Sequence, residues 1–426
     1  MTRVAIVGSG IAGLAVAHAL AGQARVTLFE AGEHFGGHTN TVDVTLDRIT
    51  HGVDTGFLVF NERSYPRLVA LFAALDVPRA PAEMSFSVQS GGLEWSGSDL
   101  NALFAQRRNL LRPRFWSMLA DLQRFNRLAR SLAADDALPA QTLGDFLDSQ
   151  HFGRAFRELY LLPMLGCIWS CPTERMLRFP LATLLRFCDN HGLLQITQRP
   201  QWYTVAGGAR QYVRKMLADV ADARLLTPVQ WARRLPAGGV LVHSAGEDER
   251  FDELVLACHS DQALALLIDA SADERALLGA ISYQRNRAVL HTDASLMPRR
   301  RRAWAAWNYE RAADATRERG RVCLHYWLNR LQPLPWQRPL FVSLNPLREP
   351  AAQAVLAEFD YAHPVFDQAA IDAQRALPAI HGRANTWFCG AWTGYGFHED
   401  GLRSGLAVAE ALRAQRAARP ALRVTA

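Results

Sequence analysis

Three stretches of the chain hold residues whose types and spacing could do chemistry. The first is VAIVGSGIAGLAVAHALAG, with Gly8, Gly10 and Gly13, followed by RVTLFE ending at Glu30. An apolar run, a GxGxxG turn, a helix of small residues and a second apolar run closed by an acid form the pattern that seats a dinucleotide. Gly8 permits the tight turn. Gly10 leaves room for a pyrophosphate at a helix N-terminus, where free N–H groups favour an anion, and Gly13 lets helix and strand approach. The Glu30 carboxylate would accept hydrogen bonds from ribose hydroxyls, which disfavours a cofactor with a 2′-phosphate there. The motif alone does not choose between the common dinucleotides.

The second stretch is AGEHFGGHTNT, where Gly36 and Gly37 offer another close backbone approach to a ligand, with Asp54, Thr55 and Gly56 soon after in THGVDTGFLVF. A glycine inside such an apolar run lets a ring lie near the backbone. The third is WFCGAWTGYGFHEDGLRSGLAVAEAL, residues 387–412, with consecutive His398, Glu399 and Asp400. Three consecutive residues rarely converge on one metal, and the run lacks HExxH spacing. Cys167 and Cys171 in CIWSC lack CxxC spacing and a second ligand pair, so no metal site is expected. An isolated acid–base pair stays open. The favoured reading makes Asp400 and Gly401 the start of a helix whose first N–H groups meet a ligand, with His398 and Glu399 fixing the turn. No second strand–GxGxxG–helix unit follows, so no second nucleotide module is expected.

These residues need elements to place them. The 426 residues are 49% hydrophobic and 21% charged, enough for a large core and two domains. The net charge of +6 is scattered except at Arg299 to Arg302, which reads as a solvated loop; no nucleic-acid module is visible. The six cysteines read as reduced and structural. A strand begins almost at Met1, leaving no signal peptide, and no run is long and apolar enough to span a bilayer. The expected location is cytoplasmic, with peripheral membrane contact left open. Residues 61–200 read as mostly helical, including a Thr142 N-cap with Asp145 three residues later, and residues 251–258 read as a buried strand. His151 and His191 read as ordinary polar or capping residues. Residues 281–345 hold strand candidates rich in Trp304, Trp307, Asn308, His325, Tyr326, Trp327 and Asn329. That cluster reads either as core packing or, through alternating members, as the wall of an apolar pocket. Surface connections are expected at 234–239 and 311–320, and a fraying tail beyond about 413.

With these motifs in place the chain resembles the flavin-containing amine oxidase superfamily, which includes protoporphyrinogen oxidases and carotenoid desaturases. It is most similar to a bacterial branch described as predicted NAD/FAD-binding oxidoreductases linked to fatty-acid modification. The resemblance covers about residues 2–412 and is strongest at the two ends. It implies an α/β fold: an FAD-binding Rossmann-like domain from 1–60, 205–262 and 383–420, and a discontinuous substrate domain from 61–204 and 263–382, made of a mixed or antiparallel sheet plus helices. It implies FAD on Gly8, Gly10, Gly13 and Glu30, the second glycine pair Gly36 and Gly37, the Asp54–Phe57 segment beneath the isoalloxazine, Val229 at the adenine, and Gly390, Glu399, Asp400 and Gly401 as the C-terminal part of the site. VAGGARQY (205–212) resembles the glycine stretch leading into a helix beside the cofactor. Because GAWTGYGFHEDG has no cysteine, the FAD is expected to be non-covalent. Trp392 and Tyr395 would wall the substrate, and His398 would reach the pocket.

The implied activity is oxidation or desaturation of a fatty-acyl or lipid-like substrate by hydride transfer to flavin. The alternatives are a flavin-dependent amine oxidase, or a non-catalytic FAD-binding subunit of a lipid-modifying system. Implied partners are a small-molecule or lipid substrate and an electron acceptor or lipid-modifying enzyme, with no nucleic acid. The oligomeric state is left open.

Overall fold

The structure is a computed structural model that describes residues 1–133, 141–195, 199–314 and 320–418. Its first layer is a five-stranded parallel sheet, ordered Asp222–Arg224, Arg25–Phe29, Arg3–Val7, Glu253–Leu256, Thr386–Phe388. The central strands are short apolar runs because both faces are covered, as parallel sheets require. Helix Ile11–Leu20 is apolar almost all round and buried on nearly every residue. It lies between the sheet and helix His398–Ala418. A Cβ added at Gly405 would sit 2.3 Å from the Ala12 carbonyl oxygen. An antiparallel meander, Val229–Arg234, Val240–Ser244 and Glu247–Phe251, packs on the sheet's other side.

The second layer is a seven-stranded mixed sheet: Val355–Val365, Ser282–His291, Phe341–Leu344, Leu324–Trp327, Trp307–Glu310, Phe86–Ser90, Leu93–Ser96. Only the pairing of Trp307–Glu310 with Phe86–Ser90 is parallel. The fold is thus a Rossmann-like domain plus a separate mixed-sheet and helical part. Helices Pro113–Ala133, Leu143–Ser149, Leu162–Trp169 and Leu181–Asn190 cover one end of the cavity between them. Thr142 and Asp145 form the expected reciprocal cap.

Several expectations need correction. The 61–200 block also contributes strands, including Arg79–Ala82 and the last two strands of the mixed sheet, Phe86–Ser90 and the edge strand Leu93–Ser96. Their few residues were too short to reveal a period. Only Trp307–Glu310 of RAWAAWNYE is strand; Arg301–Ala303 is a 3-10 turn. Arg299 to Arg302 are exposed, but the Arg299 and Arg300 N–H groups donate to Glu94 at 3.0 Å, and the Arg301 guanidinium lies over Trp304. This loop is anchored on the sheet. The expected fraying from 413 does not begin there, since the last helix continues to Ala418. Residues 315–319 of the expected 311–320 connection, and 419–426 of the tail, lie outside the described residues. Among the described residues, no helix is long and apolar enough to cross a membrane.

Candidate functional site

The glycine turn adopts the geometry its spacing demands. Gly8 has φ +100°, and a Cβ there would meet the Ala257 carbonyl oxygen at 3.0 Å. Gly13 is tighter, because a Cβ would fall 1.9 Å from the Gly8 oxygen. At Gly10, the N-cap of helix Ile11–Leu20, a Cβ would meet nothing within 4 Å and would project into free space. That is the cradle a pyrophosphate requires. Gly37, at φ +58°, brings the second glycine pair against Gly10, whose Cα would lie 3.2 Å from an added Cβ.

Ser9, which the motif leaves unspecified, ties the two loops together. Its hydroxyl donates to Glu30 Oε2 at 2.5 Å and accepts the Gly36 N–H at 3.1 Å. Glu30 also accepts the Ser9 and Gly32 N–H groups at 3.0 and 2.8 Å. The carboxylate is therefore held in place with lone pairs left for a ligand. No sequence rule singles out Ser9; only the closing of the two loops gives it a role.

The C-terminal segment completes the wall. Gly390, Trp392 and His398 line the same cavity as Gly8, Gly10, Glu30, Gly36, Gly37, Gly56 and Val229. The Trp392 indole N–H donates to the Cys258 carbonyl at 3.1 Å, which fixes the ring. His398 is half-buried, stacks on Phe57 with ring centroids 3.7 Å apart, and bonds through Nε2 to the Thr39 hydroxyl at 2.9 Å. Burial pushes its pKa down to about 3, so the ring is neutral.

The neighbours of His398 do different work. Glu399 accepts the Arg67 and Leu68 N–H groups at 3.1 and 3.0 Å, capping helix Pro66–Ala74. Asp400 accepts the Tyr395 and Phe397 N–H groups and pairs with Arg403, and burial raises its pKa to about 6. Gly401 packs against Ile11. These three stand behind the wall. So do Asp54 and Thr55: Asp54 accepts from Thr41 and the Ala209 N–H, and burial raises its pKa to about 7, while Thr55 bonds Tyr361. Gly13 likewise acts through packing. Tyr395 packs on Phe187 and gives its carbonyl to the Trp169 N–H, so Trp392 alone of the expected aromatic pair faces the cavity.

Sequence reasoning missed the histidines. His38, His191, His259 and His363 join His398 around the cavity. The His38 ring lies 5.3 Å from that of His363 and 6.2 Å from that of His259, and its Nε2 is buried without a partner. Burial, then the neighbouring histidines, hold His38 well below the usual range, and burial takes His363 and His191 to about 4. Neutral imidazoles lining a cavity are suited to a polar ligand edge. They come from distant segments, so no spacing could announce them.

The cavity holds about 750 Å³ and runs from the glycine turn to an apolar end formed by Met84, Phe86, Trp95, Tyr160, Met164 and Tyr326. Tyr160 sits in a π-helical turn, Arg157–Leu161, a local widening common at functional sites. Of the aromatic strand cluster, alternation sends Trp307 and Tyr326 into the cavity, while Trp304, Asn308, His325 and Trp327 lie on the other face. Among the described lining residues, Glu30 and Arg199 are the sole carboxylate and guanidinium.

This fold and cleft define a dinucleotide-binding α/β protein with an apolar chamber joined to its nucleotide site. A family model described as an NAD(P)-binding Rossmann-like domain matches residues 6–75. No curated protein matches the chain. Among solved structures, the chain is similar to the CLA-producing fatty acid isomerase from P. acnes, with TM-score 0.68 at 16% identity over 96% of this chain and 98% of that one. It is equally similar to cyclohexylamine oxidase from Brevibacterium oxydans IH-35A, with TM-score 0.68 at 16% identity over 97% and 99%. The same holds for wild-type putrescine oxidase bound to putrescine, at 0.68, 16%, 97% and 99%. At this identity the likeness establishes a shared fold.

Proposed function

We propose that the chain is an oxidoreductase of the amine-oxidase and protoporphyrinogen-oxidase type, binding FAD without a covalent link and oxidising a substrate with an apolar body. The observation that carries this is the single cavity joining the glycine turn and Glu30 to the apolar chamber. The residues present fit FAD: the open space at Gly10 and the oriented Glu30 carboxylate are what a dinucleotide needs. When bound, the flavin supplies a ring that accepts a hydride. Glu30 and Ser9 would hold the ribose end, the Gly36–His38 loop the middle, and Trp392, Gly396 and His398 the ring end. Burial pushes the cavity-lining thiols Cys167 and Cys258 upward, the latter to about 12, so neither is a ready nucleophile for a flavin bond.

The remaining side chains select and shield. The aromatic chamber excludes water, which keeps the five histidines neutral and leaves a substrate C–H bond undisturbed by solvent. Two substrate classes suit this lining. An amine is supported by the two amine oxidases that share the fold. With no carboxylate at the apolar end, that amine would be a monoamine, neutral in the pocket. An acyl chain is supported by the fatty acid isomerase and by Arg199, a cation placed to pair with a carboxylate.

Anaerobic bleaching of the bound flavin separates these. Cyclohexylamine or an unsaturated fatty acid should reduce it and putrescine should not. Arg199→Gln should raise KM for the acid alone. Preferential reduction by putrescine would overturn the apolar reading. Loaded flavin that no substrate reduces would favour the accessory-subunit alternative.

A further inference from the structure

Spacing along the chain predicts no metal. The tertiary structure nevertheless brings three ligand-type side chains together on the outer face of the mixed sheet, away from the cavity. We infer that Glu310, Cys323 and His325 form a binding site for a borderline divalent metal, zinc above all. Strands Trp307–Glu310 and Leu324–Trp327 pair antiparallel, with Asn308 opposite His325 and Tyr309 opposite Leu324. Alternation then turns Trp307 and Tyr326 into the cavity, and Glu310, Cys323 and His325 to the opposite face.

The donor atoms stand within a few tenths of an ångström of the separations a tetrahedral shell needs. His325 Nε2 lies 3.1 Å from Glu310 Oε2 and 3.6 Å from Cys323 Sγ, and that sulfur lies 3.9 Å from the same carboxylate oxygen. Zinc bonds of about 2.3 Å to sulfur and about 2.0–2.1 Å to nitrogen or oxygen, at tetrahedral angles, put neighbouring donors roughly 3.3–3.6 Å apart. A carboxylate–imidazole hydrogen bond alone accounts for the shortest contact. The Cys323 thiol meets both partners as well, so all three ligand-type groups converge on one point. A sulfur, a nitrogen and an oxygen ligand, with a fourth position for water, is a donor set that zinc accepts.

A chain of hydrogen bonds orients the imidazole. The Asp293 N–H donates to His291 Nδ1 at 3.1 Å, and His291 Nε2 meets the Ser343 hydroxyl at 2.7 Å. Ser343 in turn meets His325 Nδ1 at 2.6 Å. Because His291 Nδ1 accepts the Asp293 N–H, His291 Nε2 donates to Ser343, whose second lone pair can accept the His325 Nδ1–H of the tautomer that leaves Nε2 to a metal. Such outer partners accompany metal-bound histidines. On binding, the Cys323 thiol gives its proton to solvent and the thiolate bonds the metal. His325 is fully buried, while the Glu310 side chain is 16% exposed and marks the entry. The metal would clamp two strands whose other face carries Trp307 and Tyr326, stiffening the cavity wall from behind. This is independent of the flavin reading.

The test is titration of the full chain with Co²⁺ as a spectroscopic probe. One equivalent should give a thiolate-to-cobalt charge-transfer band, and one equivalent of Zn²⁺ should erase it. Cys323→Ser should abolish the band, and Zn²⁺ should raise the melting temperature of the wild type but not of this variant. Where Cys323→Ser does not fold, Glu310→Gln should weaken Co²⁺ binding at least tenfold. Absence of the band in the wild type, its persistence in folded Cys323→Ser, or an unchanged titration in Glu310→Gln would each overturn the site.

Discussion

Glu399 lies in the middle of the polar run that first invites a catalytic reading, and its contacts predict a different phenotype. Helix Pro66–Ala74 begins with proline, which has no N–H, and the Val69 N–H already donates to the Tyr65 carbonyl at 2.9 Å. The two first-turn donors left over are those of Arg67 and Leu68, and Glu399 accepts both. Leu68 is fully buried, so its N–H has no water to turn to when the carboxylate is removed. A charge-assisted hydrogen bond to a buried donor is worth about 1.5–3 kcal/mol. The more exposed Arg67 bond is closer to an ordinary cap, about 1 kcal/mol. Glu399→Ala should therefore lower unfolding free energy by about 3 kcal/mol, and Glu399→Gln, which keeps one acceptor oxygen, by roughly half that. Denaturant unfolding followed by circular dichroism measures this, with flavin stoichiometry recorded on the same samples. Folded Glu399→Ala should retain its flavin and its rate of flavin reduction. A variant of unchanged stability that cannot reduce flavin would refute the capping role and restore a chemical one.

The glycines of the first turn should separate by phenotype. Gly10→Val should lose FAD and melt with the wild-type apoprotein, because its side chain projects into the open cradle; Gly13→Ala should fail to fold, because its Cβ would meet the Gly8 carbonyl. Visible absorbance and thermal melts distinguish them, and the reverse pattern would show the cofactor site misplaced. Acid should destabilise the protein. His191, His291, His363 and His398 are held by burial at about 4, 4, 4 and 3, so the unfolded chain takes up protons the folded chain refuses once pH drops below about 6.5. Asp54 and Asp400, raised to about 7 and 6, work the other way, gaining protons in the folded state first. Four against two, with His38 also held low and adding to the four, leaves a net loss of at least about 3 kcal/mol per pH unit between about pH 6 and pH 5, at about 1.4 kcal/mol per proton. Stability that is flat or rising over that interval would contradict the burial of these rings.

What the sequence determined by itself is local. Gly8, Gly10, Gly13 and Glu30 fall within one strand–turn–helix–strand unit, so their spacing fixes their geometry, and Thr142 with Asp145 announces a helix start for the same reason. The apolar run at 251–258 reads as a buried strand, and the structure forms it over Glu253–Leu256, because a central parallel strand has no exposed face to pattern. What only the tertiary structure decided is convergence. Gly36 meets Gly10 through Ser9, and His38, His259 and His363 gather from three separate elements. The alternation of one strand pair sends Trp307 and Tyr326 to the cavity and Glu310, Cys323 and His325 to the opposite face. The run at 398–400 shows the difference best. Adjacent in sequence, its three side chains diverge around a helix N-terminus, His398 to the cavity wall, Glu399 to another helix and Asp400 to its own turn. Helical geometry rotates neighbouring residues by about 100°, so proximity along the chain could not tell which of them would meet a ligand.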